Sequence, residues 1–177
     1  LLVIEVYKSL GFAPKFYLAT RPDKAMGDVK TWKEAEKDLE QALKDAKVNF
    51  DIKPKDGAFY GPKIDIHIND SQDRDWQLAT IQLDFQIPQK MELSYVDSDG
   101  KKKQPVMIHR AITGSLERFI GILTEHFQGA FPTWLSPIQA IVLPLSDKFL
   151  SYAHKVATDL KSEGIRVEVD ERNETLQ

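Results

Sequence analysis

Two runs between Lys63 and Phe85 constrain the fold more than any other part of the chain. Ile64, Ile66 and Ile68 alternate with Lys63, Asp65 and His67, the period of two that gives a strand one buried and one polar face. Trp76 to Phe85 follows as a second strand with no helical stretch between them. Glu92 to Val96 and Pro105 to Ile108 then read as a hairpin, joined through Asp97-Ser98-Asp99-Gly100 and the run Lys101 to Lys103. The three lysines are read as keeping that loop soluble. Consecutive strands without intervening helices, and a single helix after them, indicate an antiparallel sheet.

The flanking segments are helical or mixed. Apolar residues at 2, 3, 6 and 10 predict a helix over 1–10 that Gly11 ends. Lys15 to Thr20 reads as a short strand before the Arg21-Pro22-Asp23 turn. Trp32, Ala35, Leu39, Ala42, Leu43 and Ala46 form an amphipathic helix over 31–46, with Thr31 and Glu34 as its capping box. Phe50 to Pro54 opens the sheet-rich part. Two prolines in Phe131 to Pro137 mark a domain boundary, placing one domain at 1–134 and a second at 135–177. In the second, Ile138 to Leu145 reads as a buried strand, Phe149 to Leu160 as a helix that Gly164 ends, and Ile165 to Val169 as another strand. One β-α-β unit is too little for a complete domain. Leu1 opens inside an apolar segment and Gln177 stops just after a strand, so the chain reads as part of a longer polypeptide.

Composition excludes several classes. An apolar share of 42% and a charged share of 29% are those of a globular protein. No apolar run reaches the ~20 residues a membrane span needs. The absence of cysteine excludes a disulfide framework and fits a cytosolic enzyme. A net charge of -3 gives no basic footprint for nucleic acid, although total charge says little about one face.

Chemistry concentrates in two places. Thr80, Gln82 and Asp84 share one face of the Trp76–Phe85 strand, and such groups need partners, from neighbouring strands or from a bound ligand. The strand Pro105–Ile108 runs into His109, then Gly114-Ser115 and a helix bearing Arg118, a layout suited to holding a cation beside a polyphosphate. Leu116, Phe119, Ile120, Leu123 and Phe127 form that helix's apolar face. His67, on a strand face read as exposed, and His126 and His154, on helix surfaces, are read as ordinary hydrogen-bonded side chains.

Three blocks in order, Gly57-Ala58-Phe59-Tyr60-Gly61-Pro62-Lys63, Trp76-Gln77-Leu78-Ala79-Thr80-Ile81-Gln82-Leu83-Asp84-Phe85 and His109-Arg110-Ala111-Ile112-Thr113-Gly114-Ser115-Leu116-Glu117-Arg118, resemble the catalytic core of threonyl-tRNA synthetases. The resemblance implies an α+β fold, the antiparallel class II synthetase sheet flanked by helices, followed by the start of an α/β anticodon-binding domain. It implies a cytoplasmic, homodimeric full-length enzyme that joins threonine and ATP, with Mg2+, into threonyl-adenylate and passes the acyl group to tRNA(Thr). It implies that Tyr60, Gln77, Thr80, Gln82, Ala111, Gly114, Ser115 and Arg118 line the threonine and ATP pocket. Tyr60 would donate a hydrogen bond to threonine, Lys63 would sit near the carboxylate or phosphate charge, and Arg118 would clasp the γ-phosphate. Gly114 would let the backbone pass close to the adenine. His109 would be one of three zinc ligands, its cysteine and histidine partners lying before Leu1, and threonine would complete the shell. Valine lacks the oxygen to do so and would be rejected. Asn173 would contact the tRNA anticodon.

Gln77 and the pair Thr80 and Gln82 have opposite parity, so all three reach one pocket only if a bulge intervenes near Leu78 and Ala79. Thr113 and Ala79 depart from the usual aliphatic residue and glycine at their positions. Motif 1, motif 2 with its arginine, and two zinc ligands are absent from this chain, which predicts that it is inactive alone. Two rivals are a non-catalytic RNA-binding paralogue and a related synthetase for proline, serine or glycine. The latter would be favoured by a His109 turned away from the pocket.

Overall fold

The computed structural model describes residues 2–172, and the chain divides into two compact units, Leu1–His126 and Phe127–Gln177. In the first unit, α1 (Leu2–Ser9) ends where Gly11 takes φ +82°, a left-handed conformation that glycine adopts without cost. Tyr7 rather than Leu2 is its anchor: Tyr7 is fully buried, whereas Leu2 is exposed. β1 (Lys15–Ala19) leads to α2 (Val29–Asp45), which buries Trp32, Ala35, Leu39 and Leu43. Its cap is Asp28 and not the predicted Thr31. The Asp28 carboxylate accepts from the Thr31 backbone N–H at 2.9 Å and from the Thr31 hydroxyl at 2.6 Å, so the helix starts earlier than predicted.

β2 (Phe50–Lys53), β3 (Lys63–Asn69), β4 (Asp75–Asp84) and β7 (Met107–Ala111) complete a five-stranded sheet in the order β2-β1-β3-β4-β7. Three of its pairings are antiparallel, as expected, but β1 and β2 run parallel. The 17-residue α2 lies between them in sequence and supplies the crossover a parallel pair requires. Between β4 and β7 lie a short helix not predicted from sequence, α3 (Gln86–Lys90), and a two-residue ladder of β5 (Tyr95–Val96) with β6 (Lys102–Lys103). The predicted hairpin is therefore confined to this ladder. The segment after Pro105 pairs with β4 instead, which places His109 in the middle of β7 rather than at its end.

Phe16, Leu18, Ile64, Ile66, Ala79 and Ile81 form the apolar face of the sheet by register. Ala42 and Leu43 of α2, Ala46 just after it, and Leu2 and Val3 of α1 line an apolar groove of about 220 Å³ over that face. The opposite face of β3 was expected to meet solvent. Instead, Asp65 and His67 are buried with the isoleucines, because polar groups of neighbouring strands satisfy them. α4 (Leu116–His126) buries Phe119, Ile122 and Leu123, with Tyr7 edge-on to Phe119 at 6.3 Å and Phe12 4.3 Å from the His126 ring. The helix is thus rotated from the predicted face, leaving Leu116 and Ile120 exposed.

In the second unit, β8 (Ala140–Val142) pairs in parallel with β9 (Val167–Val169), and α5 (Leu150–Ser162) buries Ala153 and Ala157. β8 is shorter and wetter than the predicted strand: Ile138, Ile141, Leu143 and Leu145 are all exposed. Asn173 lies outside the described residues.

Candidate active site

The predicted bulge is present. Ile66 pairs with Ala79 and His67 with Gln77, so Leu78 is an extra residue in β4. The slip restores parity. Gln77 opposite His67, Thr80 opposite Asp65 and Gln82 opposite Lys63 all emerge on the polar face, and β7 adds Ala111 beside Thr80 and His109 beside Gln82.

These side chains are linked through a fully buried carboxylate that the sequence reading passed over. Asp65 accepts from Gln77 Nε2 at 2.5 Å, from the Thr80 hydroxyl at 3.1 Å and from Lys63 Nζ at 2.5 Å. Gln82 Nε2 donates to Thr80 Oγ1 at 3.3 Å. The Tyr60 hydroxyl donates to Gln82 Oε1, so the proton expected to point at threonine is held within the chain. Burial, and then the charge of Asp84, push the Tyr60 hydroxyl above its ordinary range, which keeps it protonated and able to donate.

Tyr60 is placed by a tight turn. Ala58 and Gly61 form a bridge, Met26 N–H donates to Phe59 O at 2.7 Å, and Leu83 N–H donates to Pro62 O at 3.1 Å. Gly61 is obligatory there, because a side-chain carbon would overlap the Leu83 carbonyl oxygen.

His109 lies on this polar side, its ring 5.9 Å from that of Tyr60. Its Nε2 is 2.9 Å from Asp84 Oδ2. A carboxylate only accepts, so Nε2 carries a proton, and in the neutral ring Nδ1 keeps the lone pair. Asp84 is fully buried and is fixed by the N–H groups of Gln86 at 2.9 Å and Ile87 at 3.0 Å. Burial opposes its charge, but the Ile87 N–H, the His109 hydrogen bond and the Gln86 N–H outweigh that and hold the carboxyl below the usual range. Alternation placed Asp84 on the polar face; its link to His109 required knowing that β7 pairs with β4.

Arg118 stands at the bulged end of β4. Its guanidinium is 3.5 Å from the Gln77 carbonyl oxygen and 5.6 Å from the Trp76 ring, and it remains exposed. Ser115 Oγ accepts from the Arg118 N–H at 3.3 Å, a helix-start contact. Gly114, at φ +66°, passes against the bulge itself, where a Cβ would lie 2.8 Å from the Leu78 carbonyl oxygen. The predicted residues of the first unit thus share one sheet face and its rim.

His67, read from sequence as surface-facing, is 5% exposed. Its Nδ1 is 2.6 Å from Asp75 and its Nε2 3.0 Å from Lys53 Nζ. His154 pairs with Glu171 at 3.0 Å on an exposed surface.

Residues 2–127 match the model of the tRNA synthetase class II core domain (G, H, P, S and T), and residues 139–177 match the anticodon binding domain. A threonine–tRNA ligase of Clostridium tetani is 52% identical over 99% of this chain, which spans 27% of that relative. A threonine–tRNA ligase catalytic subunit of Saccharolobus islandicus is 51% identical over 98% of the chain and 32% of its own length. Among solved structures, the RNA binding domain of threonyl-tRNA synthetase from Cryptosporidium parvum aligns over 98% of this chain and 44% of that one, with a TM-score of 0.88 and 44% identity. Histidyl-tRNA synthetase of S. aureus, at 14% identity and a TM-score of 0.56, shares the fold alone. The chain belongs to the class II tRNA synthetase core family, and within it is similar along nearly its whole length to threonine–tRNA ligases.

Proposed function

We propose that this chain supplies the threonine- and ATP-facing part of a threonine–tRNA ligase core, residues 1–134, followed by the opening of an anticodon-binding domain, residues 135–177. The observation that carries this reading is the polar sheet face, where the Leu78 bulge brings Gln77 onto the same face as Thr80 and Gln82, with His109 beside Gln82. The full-length enzyme would join threonine to ATP as threonyl-adenylate with release of pyrophosphate, then pass the threonyl group to tRNA(Thr). Such catalysis rests on positioning and charge stabilisation, with no protein nucleophile.

Each residue has a part in that scheme. Tyr60, Gln77, Thr80 and Gln82 bind threonine and the adenylate, and Lys63 lends charge near the carboxylate or α-phosphate. Ala111 leaves room beside Thr80, and Gly114 and Ser115 bring the backbone near the adenine. Arg118 holds the γ-phosphate of ATP, which enters with Mg2+. Its exposed guanidinium at the rim suits that part.

The His109 site fits a zinc ligand, because an imidazole with one nitrogen held by a buried carboxylate presents the other as a metal donor. Among the described residues no group of three His, Cys, Asp or Glu could hold a metal, so the other ligands would come from outside this chain. Bound zinc would act as a Lewis acid toward the amino and hydroxyl groups of threonine, the latter being what valine lacks. The position of His109 also favours threonine over the proline, serine or glycine readings.

Asn173 is assigned to the tRNA anticodon, and the full-length enzyme to a cytoplasmic homodimer. No helix among the described residues is long and apolar enough to cross a membrane. The test is threonine-dependent ATP–pyrophosphate exchange in the full-length protein. Arg118→Ala is expected to lower kcat/KM about 100-fold or more, and His109→Ala to lose bound zinc together with activity. Full exchange and full zinc content in both variants would overturn the assignment.

A further inference from the structure

We propose that Trp76 is a positioning residue for Arg118: its ring, oriented and enriched in electron density by Asp70, is a cation platform that keeps the guanidinium ready for the γ-phosphate of ATP. This rests on the reading of Arg118 above. Arg118 is exposed, and among the described residues no carboxylate pairs with it. Its hydrogen bond to the Gln77 carbonyl oxygen, at 3.5 Å, is too long to fix a side chain with so many rotamers. The other group that meets the guanidinium is the Trp76 ring. Its centroid lies 5.6 Å from the guanidinium carbon, within the range over which an aromatic face attracts a cation.

The platform is itself anchored. The Trp76 indole N–H donates to Asp70 Oδ2 at 2.7 Å, and the Asp70 side chain, only 1% exposed, also accepts from the N–H groups of Gln72 and Arg74 at 2.9 Å each. A carboxylate that takes the indole proton pushes electron density into the ring and deepens the negative potential on its face. Arg74 lies 5.9 Å from the same ring, and a second cation there would compete with Arg118. Its charge is balanced, however, by Asp70 at 2.5 Å and by Glu125 at 2.6 Å. Of the two guanidinium groups, Arg118 is therefore the one with charge left to offer an anion. Glu125 and Arg118 both stand on α4, about two turns apart and so on one face of it. The segment 70–76 thus grips that helix at both places, with Trp76 against the end that carries the phosphate contact. Trp76 acts only through Arg118.

The experiment is threonine-dependent pyrophosphate exchange by the full-length enzyme with progressively fluorinated tryptophans placed at position 76 alone. Fluorine drains electron density from the ring face while keeping its shape and the indole N–H. The kcat/KM for ATP is expected to fall stepwise, about 3- to 10-fold across the series, with the KM for threonine and the urea midpoint nearly unchanged. A flat series would overturn the proposal, and so would one in which the KM for threonine moves in step. Trp76→Leu removes the face outright and should lower kcat/KM for ATP about 5- to 30-fold, part of which Trp76→Phe recovers; equal losses in the two variants would count against the platform. In the Arg118→Ala background Trp76→Leu should cost little more, because the group through which it acts is gone, and losses that simply multiply would be fatal. Should Trp76→Leu fail to fold, the fluorinated series decides, since it keeps the Asp70 bond. An Arg118→Ala enzyme with wild-type kcat/KM for ATP would remove the reading of Arg118 and the proposal together, whereas a flat series beside an impaired Arg118→Ala enzyme removes the proposal alone.

Discussion

A single methyl group at position 61 would meet the Leu83 carbonyl oxygen, so the turn that presents Tyr60 depends on glycine. Gly61→Ala is expected to cost about 1–3 kcal/mol of stability, read from urea unfolding midpoints, and to raise the KM for threonine of the full-length enzyme. His67 makes a comparable demand through both ring nitrogens. His67→Ala leaves Asp75 and Lys53 without their buried partner, and a loss of about 1–3 kcal/mol is expected; an unchanged midpoint would show that the network adds nothing. Neither His67 nor Asp65 betrays its burial in the sequence. Alternation assigns both to a polar face, and polar usually means wet; here the partners that make burial tolerable come from β2 and β4, which local pattern does not place. Tyr60, Gln82 and His109 stand out in the sequence because they lie in recognisable blocks, and the structure brings the three together.

At the scale of elements, the bulge was legible from a conflict: three polar residues of mixed parity cannot serve one pocket from a regular strand. Gly114 holds the start of α4 against that bulge at φ +66°. Gly114→Ala should cost about 1–3 kcal/mol and disturb Arg118 with it, seen as a lower kcat in pyrophosphate exchange. The parallel β1–β2 pair was not legible, because nothing in a strand's own sequence states its partner's direction. The β3–β4 turn hangs on Asp70, whose side chain is almost wholly buried and accepts from Trp76 Nε1 at 2.7 Å and Arg74 Nε at 2.5 Å. Burial opposes the Asp70 charge, but the bonds from Trp76, Arg74 and Gln72 overcome it and depress the carboxyl well below its ordinary range. A depressed folded-state value gives stability that is present above the unfolded carboxyl's titration, near pH 4, and lost as pH falls further. Urea midpoints of the wild type should therefore drop more steeply below pH 4 than those of Asp70→Asn; parallel curves would contradict this.

For the molecule as a whole, the family was legible in three ordered blocks, whereas the second unit was read as more deeply buried than it is, with Leu145 80% exposed. Hydrophobic runs announce a strand but not what covers it. The chain spans 27% of the Clostridium tetani relative, and the proposed chemistry needs an arginine and two metal ligands that the resemblance places elsewhere. The isolated chain is accordingly expected to show no pyrophosphate exchange, and any threonine-dependent exchange by it would contradict that division of labour. The central claim is that the polar sheet face binds threonyl-adenylate. Its most direct test is calorimetric titration of a non-hydrolysable threonyl-adenylate analogue into the full-length protein, wild type against Gln82→Ala. The account predicts an affinity at least about tenfold weaker in the variant with folding intact, and equal affinities would contradict it.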